Sequence, residues 1–267
     1  NTNNNKLLLA RDCFGEKPLF YSQSPSQYFA FSSSFRTLND IPDLHSTINT
    51  LAISSFLAFN ALPSPTTLSS NIFCLPQGSM IEVNLNDYTY EISSFFSPYD
   101  SNPCLIAYDD PLSRLDSLLR DSISSRILAD VPLGFFLSGG IDSSLLVSVA
   151  ASISDSPINT FSLGVSGSDA SELVYASTIA SILKTHHNEV IVAEDDLHYA
   201  FSQIPTIYDL PVADPSIVPT IILHRYASNF STVFLSGDGA DELFGGYNRH
   251  NIGLSLFRFF SSLPTPL

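Results

Sequence analysis

Two segments of this chain share one grammar, in which a short apolar run breaks into a glycine turn and then into a helix start or an acidic cluster. The first is Val131-Pro132-Leu133-Gly134-Phe135-Phe136-Leu137 followed by Ser138-Gly139-Gly140-Ile141-Asp142-Ser143-Ser144. The second, residues 231–247, reads STVFLSGDGADELFGGY. An apolar run too short for a helix and bounded by turn residues reads as a buried strand, and residues 143–151 carry a helical pattern. Gly139 and Gly140 allow a sharp turn and a close approach of backbone to ligand. The first amides of the helix lack intrahelical partners, so phosphate suits the position. The helix dipole adds roughly 0.3–1 kcal/mol for an anion, and the hydroxyls of Ser138, Ser143 and Ser144 are further donors. Ligands bind open parallel sheets beyond the carboxyl ends of neighbouring strands. If the two strand ends are neighbours, Asp142 and Asp241 can reach one Mg²⁺, a hard cation that keeps waters and takes few carboxylates. A plainer reading stays open: Asp238, Asp241 and Glu242 cap a helix and face water.

The first loop is not a Walker loop, because no Gly-Lys-Ser/Thr follows the glycines. It resembles the SGGxDSS pyrophosphate loop of ATP pyrophosphatases, enzymes that hold the β,γ-pyrophosphate as leaving group while an oxygen nucleophile attacks the α-phosphate. Residues 130–144 and 235–249 together resemble the glutamine-hydrolysing asparagine synthetases. Residues 209–220, DLPVADPSIVPT, are similar to that family's substrate-side segment, with Leu210 where Glu is usual. Residues 6–21, KLLLARDCFGEKPLFY, are similar to the last part of its glutaminase domain, with Cys13 where Arg is usual.

The resemblance implies an α/β chain: the C-terminal part of an αββα N-terminal-nucleophile glutaminase domain over 1–97, a linker over 98–108, and a Rossmann-like parallel-sheet ATP-pyrophosphatase domain over 109–267. The last domain belongs to the adenine nucleotide alpha hydrolase-like class and is expected to be incomplete at its C-terminus. The family's glutaminase nucleophile is an N-terminal Cys with its own α-amino group as base; this chain opens Asn1-Thr2-Asn3-Asn4-Asn5, and Cys13, Cys74 and Cys104 are internal. The family's downstream Lys segment carries a Met, whereas Met80 is the sole Met here. A fragment of a longer protein, inactive alone, is expected.

The resemblance further implies ATP and Mg²⁺ as cofactors. By the same resemblance, Leu137, Leu163, Ser236 and Gly237 would line the adenine and ribose pocket, Ser138, Gly139, Gly140, Asp142, Ser143 and Ser144 would hold the pyrophosphate, and Asp142 and Asp241 would hold the metal. Asp238 stands where a carboxylate near the acyl-adenylate orients or deprotonates ammonia. Leu163 reads equally well as plain sheet core. The implied reaction is adenylation of aspartate to β-aspartyl-AMP and displacement of AMP by glutamine-derived ammonia, with the leaving group stabilised electrostatically. Two other functions stay open: an amidotransferase or cyclase acting on another carboxylate, and a non-catalytic nucleotide-binding remnant.

Composition sets the partners. The formal net charge of −15 in 267 residues argues against a nucleic-acid partner, which needs a basic face. It does not exclude ATP, since backbone amides and a metal accept phosphate on an acidic protein. Three Cys without a C-x-x-C pair argue for a reducing compartment, the cytoplasm, and against zinc. The expected partners are ATP, aspartate and glutamine, with no nucleic acid and no membrane; the residues leave a homodimer open. The longest apolar stretch, 51–62, is broken by Ser54, Ser55 and Asn60 and is too short to span a bilayer; it reads as a buried helix.

Along the chain, residues 7–9, 19–21, 28–31 and 80–83 are short β-like runs between turn residues. Leu112, Leu115, Leu119, Ile123 and Ile127 recur at helical spacing ahead of the first loop. Residues 158–165 read as a strand, and Asp169 with Glu172 as a helix start continuing through Leu173, Ala176, Ile179, Ala180 and Leu183. His186 and His187, adjacent on a strand, point to opposite faces and do not share a metal. The three Cys read as small buried apolar groups. Because residues 1–97 lack strands they should pair with, exposed sheet edges are expected.

Overall fold

A computed structural model of the chain describes residues 5–24, 27–44, 47–97, 110–165 and 171–261. The chain divides into two compact units, Asn1–Ile106 with Ser202–Ile217, and Ala107–Phe201 with Val218–Leu267. The expected linker over 98–108, Cys104 and the helix-start residue Asp169 lie outside the described residues.

The first unit contains β1 (Lys6–Ala10), β2 (Phe20–Ser24), β3 (Tyr28–Ser32), α1 (Phe35–Asn39), α2 (Thr50–Phe59), β4 (Phe73–Cys74), β5 (Ser79–Asn84) and β6 (Tyr90–Ser94). They form two antiparallel three-stranded sheets, β1-β5-β6 and β3-β2-β4. Period-two alternation decides what each face does. Ile81 and Val83 of β5 and Tyr21 of β2 meet Leu7, Leu9, Leu75, Phe29 and Phe73 in one core between the sheets. Phe20, one residue before Tyr21, points the other way, into a second core with Phe35 and Leu38 of α1, Leu44, Ile72 and Cys74. The four expected β runs are strands; β4 and β6 were not anticipated. β6 is exposed along its whole length and lies at one edge of its sheet.

Residues 11–17 form the turn that joins the sheets. The Asp12 carboxylate accepts the amides of Phe14, Glu16 and Lys17 at 3.1, 2.9 and 3.0 Å. The Lys17 amide leads in holding this carboxyl below the usual carboxylate range. Arg11 donates to Leu75 O at 2.7 Å, Gly15 O at 2.9 Å and Cys74 Sγ at 3.1 Å. Cys74 is buried as expected, but Cys13 is half-exposed, because this turn lies outside both cores. The 51–62 stretch corrects a second expectation. It is helical as α2, yet Leu51, Leu57 and Phe59 are exposed and only Ala52 is buried, because its apolar residues are spread around the helix instead of forming one stripe.

The second unit runs α3 (Pro111–Ile127), β7 (Leu133–Phe136), α4 (Ile141–Ile153), β8 (Asn159–Val165), α5 (Ser171–Leu183), β9 (His186–Val192), α6 (Glu194–Ile207), α7 (Ile217–Ala227), β10 (Val233–Leu235), α8 (Ala240–Phe244) and α9 (Asn248–Ser261). The last residues of α6, from Ser202, group with the first unit. Asp110 caps α3 by accepting the Ser113 amide at 3.1 Å, with Pro111 at the first helical position. The expected α3 stripe is only partly covered: Ile123 is buried and Leu112 is exposed.

The four strands make a parallel sheet ordered β10-β7-β8-β9. On one face Phe135, Leu137, Val147, Ala150, Ala176 and Ala180 form the core with Ile123. Burying a large apolar side chain fully contributes about 1.5–3 kcal/mol. On the other face the Phe136 and Phe234 rings stack at 5.0 Å, and His224 of α7 lies 4.8 and 5.3 Å from them. α6 and α7 are tied by the buried Asp196, which accepts from Tyr226 Oη at 3.1 Å and Arg225 Nη1 at 3.5 Å. Among the described residues, no helix is long and apolar enough to cross a membrane.

Candidate functional site at the ends of two parallel strands

The order of strand addition reverses between β7 and β10. Chain order runs outward from β7 through β8 to β9, and β10 then pairs on the far side of β7, with Val233 opposite Leu133 and Leu235 opposite Phe135. A reversal of strand order leaves a crevice at the carboxyl ends of the two strands, the usual ligand position in such sheets. The loops leaving those ends are residues 137–140 and 236–239.

The first loop is held from within and from one side. Ser138 N donates to Ser143 Oγ at 3.2 Å, the two hydroxyls lie 3.0 Å apart, and Gly140 N donates to Ser138 Oγ at 3.3 Å. Ser143 Oγ can donate to Gly140 O at 3.3 Å. Gly139 has φ +83°, and a Cβ there would sit 2.7 Å from both the Ala176 amide nitrogen and Tyr175 Cβ of α5. Its missing side chain makes room for a neighbouring helix, whereas the sequence reading assigned that space to a ligand. Gly140 is the exposed residue with open space: it starts α4 with φ −69° and no side-chain cap, and a Cβ there would approach only Ser138 Oγ, at 3.3 Å.

The second loop lies against the start of α4. A Cβ on Gly237 would be 2.9 Å from Ser143 N, 3.0 Å from Asp142 C and 3.2 Å from Asp142 Cβ. Ser236 is exposed and its hydroxyl donates to Asp238 Oδ2 at 2.8 Å. Asp238 is exposed, and Asp142 and Asp241 are half-buried, each in the first turn of its helix, α4 and α8. Gly246, part of the second segment but given no role by its sequence, carries Asp241: Asp241 Oδ1 occupies the space where its Cβ would be, and Gly246 N donates to Asp241 O at 3.1 Å. The Gly245-Gly246 pair was the available signal. Glu242 accepts from Tyr247 Oη at 2.8 Å, which leads in lowering its pKa.

Other candidates fall differently. Leu137 is buried in the core on one face of the sheet, so only its backbone is free for the loop. Leu163 is half-buried on β8, opposite Val190. His186 is exposed while His187 is half-buried and paired with Thr160 Oγ1 at 2.9 Å, on opposite faces. Burial holds His187 and His224 below the usual histidine pKa.

Two observations bear on phosphate at the first loop. The start of α4 carries no side-chain cap. Ser144 Oγ is buried without a hydrogen-bond partner in a region otherwise rich in paired hydroxyls. The described residues contain no group of three or more His, Cys, Asp or Glu that could hold a metal.

The family model described as Asparagine synthase matches residues 114–266, and that described as Glutamine amidotransferase domain matches 1–96. The chain is 34% identical over 272 residues to glutamine-hydrolyzing asparagine synthetase 1 of Bacillus subtilis, covering 100% of this chain and 41% of that protein. It is 30% identical over 268 residues to glutamine-hydrolyzing asparagine synthetase 2 of the same organism, covering 92% and 35%. The chain thus spans less than half the length of these relatives. A likeness to the solved structure of NH3-dependent NAD synthetase from Campylobacter jejuni has 18% identity and a TM-score of 0.37, over 51% of this chain and 60% of that one.

Proposed function

The chain belongs to the asparagine synthase family, and from that membership we propose that it supplies the ATP-binding, carboxylate-activating half of a glutamine-hydrolysing asparagine synthetase. Residues 1–97 are read as the end of a glutaminase domain, 98–108 as a linker, and 109–267 as the ATP-binding domain. The Cys content favours the cytoplasm.

In this reading the β-carboxylate oxygen of aspartate attacks the α-phosphorus of ATP. The bond from that phosphorus to the bridging oxygen breaks, and pyrophosphate leaves into residues 138–144. The nitrogen of ammonia then attacks the acyl carbon, AMP departs with the electron pair of the C–O bond, and a proton is released. The amides at the start of α4 and the hydroxyls of Ser138, Ser143 and Ser144 stabilise charge that develops on the leaving group. Asp142 and Asp241 would hold Mg²⁺, which would neutralise pyrophosphate charge. Asp238 is read as the carboxylate that orients ammonia, and residues 209–220 as the acceptor side.

The observation that supports this best is the contact of Gly237 with Asp142 and Ser143, since it joins two loops distant in sequence at one crevice. The test is ATP–pyrophosphate exchange by the full-length natural protein. Aspartate-dependent exchange, abolished in Asp142→Asn, is expected. Exchange with another carboxylate but not aspartate would transfer the site to a related amidotransferase, and ATP binding without exchange would make it a nucleotide-binding remnant.

A further inference from the structure

The segment that leads into α7 is anchored within the first unit by one guanidinium. α6 ends at Ile207, and the last carbonyls of a helix have no intrahelical donors. Arg36 of α1 supplies donors: Nη2 to Pro205 O at 2.7 Å and to Tyr208 O at 3.5 Å, and Nη1 to Thr206 O at 3.4 Å. The same group stands 3.7 Å from Asp209 Oδ1, and the Arg36 amide donates to Asp209 Oδ2 at 3.4 Å. Only the Pro205 bond is short, so the anchor is the fan of contacts that a planar fork of donors can span at once.

One residue further, Leu210 packs on the core of Phe20, Phe35 and Leu38. This is the position where the resembling family has Glu; here the side chain serves as an apolar peg. Asp214 then accepts the Ser216 amide at 2.8 Å and the chain enters α7. Residues 205–214 are thus pinned at their start by charge and at Leu210 by apolar contact. The pyrophosphate loop is held by other means, through Gly139 against α5 and Gly237 against α4.

We propose that Arg36, assisted by Leu210, is a positioning residue for the acceptor: it fixes residues 205–214 and so sets the affinity for the carboxylate substrate without altering that for ATP. The proposal rests on the reading of residues 209–220 as the acceptor side. Displacing a substrate-holding segment by an ångström can lower the rate about 100-fold, and removal of the Arg36 fan frees the stretch directly ahead of Asp209.

The test uses the full-length natural protein with Arg36→Ala and Arg36→Lys, read by ATP–pyrophosphate exchange and by hydrogen–deuterium exchange. Arg36→Ala is expected to raise the acceptor KM about tenfold or more while the ATP KM moves less than about twofold. It should speed amide exchange in residues 205–217 and leave 138–144 unchanged. Arg36→Lys, with one nitrogen in place of a fork, should recover the loss only in part. An unchanged acceptor KM, equal shifts in both KM values, or unaltered exchange in 205–217 overturns the proposal. Failure of the wild type to exchange with aspartate would instead sink the functional reading, and the amide-exchange result still decides whether Arg36 holds the segment.

Discussion

Gly139 and Gly140 are adjacent and identical, yet alanine at each should fail for a different reason. At Gly139 the backbone is left-handed, with φ +83°, where a Cβ costs roughly 1–2 kcal/mol. That Cβ would also lie 2.7 Å from Ala176 N and 3.1 Å from Glu172 O, backbone atoms of α5 that cannot rotate away. Overpacking of this kind costs about 1–3 kcal/mol. The sum for Gly139→Ala is about 2–5 kcal/mol, a fall in Tm of about 4–20 °C for a domain of this size. At Gly140, φ is −69° and the new methyl meets only Ser138 Oγ at 3.3 Å. The expected loss is the difference between Gly and Ala at an N-cap, about 1 kcal/mol or less. The methyl instead enters the open space before the first amides of α4, so ATP affinity should fall about tenfold or more, or about 1.4 kcal/mol. Thermal melting and calorimetric titration with ATP, run on both variants, separate the two. A Gly139→Ala protein that melts like the wild type, or a Gly140→Ala protein that binds ATP unchanged, would refute the assignment of one glycine to packing and the other to ligand.

Gly246→Ala should expel the Asp241 carboxylate from its seat, because Oδ1 occupies the space of the new methyl. Half-saturation by Mg²⁺ in the exchange assay is expected to rise roughly 10–100-fold with little change in melting. Acid should destabilise the second unit through His224, whose pKa burial lowers from 6.5. Below pH 6.5 the unfolded chain binds a proton that the folded chain resists, so this stability is complete above 6.5 and declines as pH falls below it. His224→Phe should flatten that decline in urea midpoints measured on either side of 6.5, and an unchanged pH profile would show that His224 does not carry it.

The loop at 137–144 was legible because its strand, turn and helix are contiguous, and each element follows from local rules. The pairing of β7 with β10 was legible only as a condition, since residues 145–230 could have routed the second strand elsewhere. What could not be read was the reason for each glycine. Gly139 and Gly237 are small because Ala176 and Ser143 approach them from segments distant in sequence, and no local pattern reports such an approach. The exposure of α2 was missed for a related cause: a run of apolar residues gives helix or strand but not which partner covers it. The motif around Leu137 does not tell backbone from side chain: the Leu137 side chain is buried in the core, on the face opposite Phe136.

The grouping of Ser202–Ile217 with the first unit changes what Leu210 means. As a sequence difference it is the loss of a carboxylate from the segment that resembles the family's substrate side. Packed on Phe20, Phe35 and Leu38 it is a contact that a Glu could make only by burying charge or turning outward. The same substitution therefore removes an acid and adds an anchor, and Arg36 beside it accounts for the charge of Asp209 that remains.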